Sequence, residues 1–179
     1  GEGITDMTDQ ILNDEIREGL IDFEKAYEYY SKAAEKGYVP SIFNVAVYHK
    51  EGTHVEKDII KAVELFRKAA DMGHTLSEEA LGNLLYAGAD GVPTNEEEGK
   101  KYWRLAAAKG NRDAQFNLAH SILIDSESSD EQWNEACNLI WRSALRAHPR
   151  AFYPLYSLAL QGDEEWDESI TYNATAFLL

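Results

Sequence analysis

Apolar side chains recur along this chain at three- and four-residue intervals, the spacing that collects them on one face of an α-helix. Ala62, Leu65, Phe66, Ala69 and Ala70 form one such stripe. The stripe is copied. Lys32-Ala33-Ala34-Glu35-Lys36-Gly37, Lys68-Ala69-Ala70-Asp71-Met72-Gly73 and Leu105-Ala106-Ala107-Ala108-Lys109-Gly110 align without gaps at offsets of 36 and 37, and a degraded copy, Ser143 to His148, follows at 38. An aromatic residue precedes each at one distance: Tyr30, Phe66, Trp103 and Trp141. Further upstream stands a small residue: Ala26, Ala62, Gly99 and Cys137.

A second motif precedes these. Ser41, Val45, Ala46 and Gly52 share their spacing with Ser77, Leu81, Gly82 and Gly88; Ala114, Leu118 and Ala119 repeat it, as do Ala151, Leu155, Tyr156 and Gly162. Each repeat is therefore predicted to hold two helices. Helix A carries small-x-x-x-apolar-small, and helix B carries small-x-x-x-aromatic and ends on a glycine. Small residues let the two backbones approach, and the aromatic ring fills the space beside them. Gly37, Gly73 and Gly110 stand where a left-handed C-cap stops helix B. Asp58 and Asn95 stand before their B helices as N-caps. One pair cannot bury its own faces, so stacked neighbours supply the core.

These residues resemble the Sel1-like repeats, relatives of the tetratricopeptide repeats. The second full copy carries the likeness best, through Leu81-Gly82, Gly88, Gly91-Val92-Pro93, Trp103, Ala106-Ala107 and Gly110. The resemblance covers roughly residues 19–162 and implies an all-α fold: a right-handed α/α superhelical solenoid of stacked antiparallel helix pairs. On this reading residues 1–179 form one domain, with repeats at about 6–37, 38–73, 74–110 and 111–148 and a partial, capping unit at 149–179. Residues 6–18 are expected to form a first helix A with Ile11, Leu12 and Ile16 inward, and 167–179 a last helix with Ile170, Tyr172, Ala174 and Phe177. The copies depart from the family pattern at Leu85, which takes the usual tyrosine position with Tyr86 one place later, and at Asp125, which replaces a loop glycine.

Charge narrows the partner. Asp and Glu number 32 against 17 Lys and Arg, a net charge of -15. Such a surface repels phosphate backbones and anionic membranes and attracts a basic protein. The same charge also serves solubility alone. No run approaches the ~18 apolar residues of a spanning helix. The single cysteine, Cys137, excludes an intrachain disulfide. The chain begins on Gly1 rather than Met, which fits either added residues or a trimmed start, and the expectation is a soluble protein of the cytoplasm or periplasm.

Chemistry is scarce. None of the five histidines (49, 54, 74, 120, 148) stands at metal-ligand spacing. No nucleophile elbow, P-loop or dinucleotide fingerprint occurs. Cys137 takes the small-residue position of a helix B and reads as a buried hydrophobe. The acidic run 163–168 lacks the spacing of an EF-hand loop. No catalytic residue, cofactor, metal or small-molecule substrate is predicted, and the chain is read as a non-enzyme.

In the family the resemblance names, A helices line the concave side. Side chains two before, two after and five after the apolar position of helix A are expected to point away from helix B. That selects Phe43, Val47 and Lys50, then Glu79, Asn83 and Tyr86, then Phe116, His120 and Leu123, then Tyr153, Ser157 and Leu160. Each row supplies an aromatic, most with a polar neighbour, the composition of an interface hot spot; the alternative is that these rings pack between repeats. The partner-binding candidates are Phe43, Val47, Glu79, Asn83, Tyr86, Phe116, His120, Tyr153 and Ser157. The expected function is a non-catalytic module that binds a partner protein or peptide. A narrower expectation is a bacterial immunity or inhibitor protein that neutralises a toxin or effector, and a third is the scaffold part of an enzyme.

Overall fold

The computed structural model describes residues 23–146, 148–151 and 154. Among them are seven α-helices and no strand beyond an isolated bridge between Ala89 and Val92. The chain divides into two compact units, one ending at His74 and one beginning at Thr75. The expected helices at 6–18 and 167–179 lie outside the described residues.

The first unit holds α1 (Phe23–Glu35), α2 (Val39–Glu51) and α3 (Ile59–Asp71). Each helix packs on the next in sequence. Ala34, Ile42, Val45 and Ala69 form a buried cluster, flanked by Tyr27, Tyr30, Val39 and Leu65. Pro40 sits in the first turn of α2, where its missing N–H costs nothing. Asp58 caps α3 by accepting a 2.9 Å bond from the Lys61 amide. Ala26, Ala62 and Phe66 are fully buried, as their shared register predicts.

The second unit holds α4 (Thr75–Ala87), α5 (Glu96–Ala108), α6 (Arg112–Leu123) and α7 (Asp130–Leu145). Its core joins Trp103, Ala106 and Ala107 of α5 to Leu118, Ala119 and Ile122 of α6 and to Ala136, Cys137 and Ile140 of α7. Asn95, Asn111 and Ser129 cap α5, α6 and α7, and Ser129 forms a reciprocal box with Gln132. Asp125, standing in for the loop glycine, accepts a 3.0 Å bond from the Glu127 amide and so turns the chain by its side chain.

One stop signal recurs in both units. At Gly37, Gly73 and Gly110 the backbone is left-handed, with φ of 82°, 84° and 87°. In each case the glycine N–H donates to the carbonyl three residues back, and the next N–H donates to the carbonyl five residues back. This pair of bonds satisfies carbonyls that the helix end leaves open.

Candidate partner-binding site

The site is built on a close helix crossing. Gly82 of α4 and Gly99 of α5 face each other without side chains. A Cβ on Gly82 would meet Trp103 Nε1 at 2.7 Å, and one on Gly99 would meet the Tyr86 backbone nitrogen at 2.8 Å. Both are closer than a real Cβ tolerates. Glycine at 82 therefore admits the indole, and glycine at 99 lets the α4 backbone come close to α5.

The indole then sets a polar network. Trp103 Nε1 donates to Asn83 Oδ1 at 2.8 Å. The same oxygen accepts from Asn117 Nδ2 of α6 at 2.9 Å. The Asn83 amide nitrogen donates to Glu79 Oε1. One side chain thus ties α4, α5 and α6 together. Tyr86 lies against the indole, ring centres 4.7 Å apart and tilted by 37°. These side chains, with Asn117, exposed His120 and Ile124, line an open hollow of about 300 Å³. Ile124 is 63% exposed although apolar.

The structure brings together four of the sequence candidates here: Glu79, Asn83, Tyr86 and His120. Their expected direction needs correction. Asn83 and Tyr86 do not point away from helix B; both contact Trp103 of α5, because Gly82 leaves room for the indole at the crossing. Asn117 and Ile124 were missed. Asn117 stands between Phe116 and Leu118, at a place that the selection two before, two after and five after the apolar position skips, and its bond to Asn83 reveals it.

The other candidates lie elsewhere. Phe43 is half-buried in the first unit, its ring 5.6 Å from Phe66 and 5.1 Å from His74. Val47 is half-buried in α2. Phe116 is buried at 6% exposure, so the packed alternative describes it rather than an open groove. His148 stacks on it at 4.5 Å, and the Arg150 guanidinium stands 4.9 Å from its ring centre. Burial pushes the pKa of His148 below the usual histidine value, against the opposite pull of Asp113 at 3.2 Å. Tyr153 and Ser157 lie outside the described residues.

Cys137 is buried among apolar side chains, and burial pushes its thiol up to about 12. Such a thiol stays protonated and is a poor nucleophile. Among the described residues no helix is long and apolar enough to cross a membrane.

The Sel1 repeat model matches residues 18–38, 39–74 and 76–111, more than half of the 179 residues. The chain belongs to the Sel1 repeat family. The crystal structure of a Sel1 repeat protein from Oxalobacter formigenes aligns with a TM-score of 0.74 at 24% identity, covering 92% of this chain and 69% of that one. A protective antigen of uropathogenic Escherichia coli, described as displaying an SLR fold, aligns at 0.73 and 27% identity over 79% of this chain and 30% of that one. An exopolysaccharide production negative regulator of Rhizobium leguminosarum bv. viciae is 26% identical over 87% of this chain. A chitin synthase regulator of Saccharomyces cerevisiae is 27% identical over 73%. This Sel1 repeat chain spans 60% of the rhizobial regulator's length and 20% of the yeast regulator's.

Proposed function

We propose that this chain is a non-catalytic protein-interaction module, and that its partner docks on the α4–α6 face over Tyr86, Asn117, His120 and Ile124. The observation that carries this reading is the Asn83 hub. Its oxygen holds an indole and an amide from two other helices, so the exposed side chains around it start from a rigid base. A pre-organised surface loses little conformational freedom on binding. An exposed isoleucine and histidine beside a tyrosine supply the apolar anchor and polar rim of a hot spot. The net charge of -15 favours a basic partner, with association that weakens as salt rises. The regulator names borne by two relatives support a protein that acts by binding other proteins.

The test is site-specific photo-crosslinking in cells. A photoreactive phenylalanine analogue at position 120 is expected to capture a defined protein, whereas the same analogue replacing Lys101, exposed on α5, is not. His120→Ala with Ile124→Ser should then abolish co-purification of that protein at unchanged helicity. Equal capture at both positions, or full binding by the double variant, would sink the assignment.

A further inference from the structure

The α4–α6 hollow has a polarity that its tryptophan imposes. An indole N–H donates and cannot accept, so Asn83 turns its carbonyl oxygen to Trp103 Nε1. That oxygen can be met a second time only by a donor, and Asn117 meets it with its amide nitrogen. The nitrogen of Asn83 in turn donates to Glu79. What remains is the carbonyl oxygen of Asn117. It accepts no hydrogen bond among the described residues, and Asn117 is only half-buried where it lines the hollow. The hollow therefore offers an acceptor on its surface, held from behind by the hub.

Charge points the same way. The hollow lies where α4 and α6 end, since Ala87 and Ile124 line it. A helix C-terminus carries partial negative charge on its open carbonyls. Elsewhere the chain places a cation there: Lys32, Lys50, Lys68 and Arg142 stand in the last turns of α1, α2, α3 and α7, and Lys109 follows α5. In its last turn α4 has no basic residue, and α6 has only His120. At the register position of Lys50, α4 carries Tyr86 and α6 carries Leu123. Exposed Asp90 and Asp125 follow the two helix ends. Among the described residues no Lys or Arg lines the hollow.

Given the α4–α6 docking reading, on which this rests, we propose that the anchor a partner inserts into the hollow is an arginine side chain. Its guanidinium donates to Asn117 Oδ1, lies against the Tyr86 ring and supplies the positive charge that the ends of α4 and α6 lack. Its apolar stem covers Ile124, which is 63% exposed. A carboxylate or phosphate is repelled by the same helix ends and leaves the Asn117 oxygen without a donor. A lysine brings the charge, but its ammonium is more strongly hydrated and has no flat face to lay on a ring. A volume of about 300 Å³ admits one long side chain rather than a folded element.

The probe is the peptide acetyl-Leu-Arg-Leu-amide, titrated into the isotope-labelled full chain and followed by NMR. Saturable shifts are expected at the Trp103 indole N–H, the Asn117 side-chain amide and Ile124. Citrulline in place of arginine keeps the shape and removes the charge, and should bind at least ~10-fold more weakly. The lysine peptide should fall between the two. N117A should lose about 5-fold with helicity unchanged. Y86K gives α4 the cation that α2 carries at Lys50 and should abolish the response. E64Q removes an exposed carboxylate of α3 in the first unit and should change nothing, which separates the hollow from attraction to the acidic chain as a whole. Equal binding of the arginine and citrulline peptides, shifts confined to other residues, or unchanged affinity in N117A would each overturn the proposal. An arginine-selective response without protein capture at position 120 supports the arginine hollow and removes the docking reading. Capture at position 120 without an arginine-selective response overturns the proposal and leaves the docking reading standing.

Discussion

The α2–α3 and α4–α5 pairs are copies in register, yet they close their crossings differently. In the first, the register positions hold Ala46, Ala62 and Phe66, and all three are fully buried. In the second, the same positions hold Gly82, Gly99 and Trp103. The larger ring is accompanied by the loss of both methyls. The indole also brings an N–H that phenylalanine lacks. Where the first pair has Val47, the second has Asn83, and its carbonyl takes that proton. Lys50 becomes Tyr86, which covers the indole face. Five substitutions therefore act as one unit. The lesson is that an exchange inside a repeat spreads to every position its new atoms touch, and that the resulting polar hub, not the shared register, marks the surface that differs.

This comparison can be broken in order of expected effect. Trp103→Ala removes the ring from a site that cannot collapse, because both crossing positions are already glycine; a loss of about 3–5 kcal/mol is expected in urea denaturation. Gly82→Ala, which restores the first pair's residue, should cost about 2 kcal/mol through overpacking, despite alanine's better helix propensity. Adding Trp103→Phe should return most of that loss. A double mutant no better than the sum of the singles would show that glycine and indole are not coupled. Asn83→Val copies the first pair's Val47 and leaves the indole N–H without its acceptor. About 1 kcal/mol or more is expected, and less in the Trp103→Phe background, where only the bonds to Asn117 and Glu79 remain to be lost.

The smallest effect sharpens the contrast through pH. His49 of α2 occupies the register position of Leu85 and Ile122 and is buried like them. Burial, and next the Lys61 charge, hold its pKa below the ordinary histidine value, against the Glu56 backbone and Asp58, which pull the other way. Its other neighbour is the Tyr27 hydroxyl, 3.2 Å from Nε2. The unfolded chain therefore takes up a proton first as pH falls. Stability is full above the unfolded value of ~6.5 and declines as pH drops through that value toward the folded one. Thermal unfolding between about pH 7.5 and about pH 5.5 should show a smaller decline for His49→Leu than for the parent chain. His148 contributes in the same direction in both proteins. An unchanged decline in the variant would remove His49 from the account.

Much of the fold was legible. The offsets of Ala33-Ala34, Ala69-Ala70 and Ala106-Ala107 located the B helices, and the glycines that follow them adopt the left-handed backbone their position requires. Asp58 and Asn95 cap as expected, because a cap is a local bond between residues three apart. The candidate site was legible in part. Glu79, Asn83, Tyr86 and His120 were selected from their register and do gather in one place. Their orientation was not legible, since it depends on how near α5 comes to α4. Phe116 failed as an open surface because His148 and Arg150, more than thirty residues later, cover it.

By itself, the sequence determined everything carried by short-range periodicity: helices, stops, caps, buried small positions and the Sel1 repeat. Each depends on residues within a turn or two, where backbone geometry leaves few choices. Tertiary structure alone decided which polar groups meet. Asn83 and Asn117 are 34 positions apart, and so nearly are Gly110 and Arg146. Such meetings depend on the distance between packed helices to within an ångström. That distance is set by side-chain volumes at the crossing, which no period along the chain encodes.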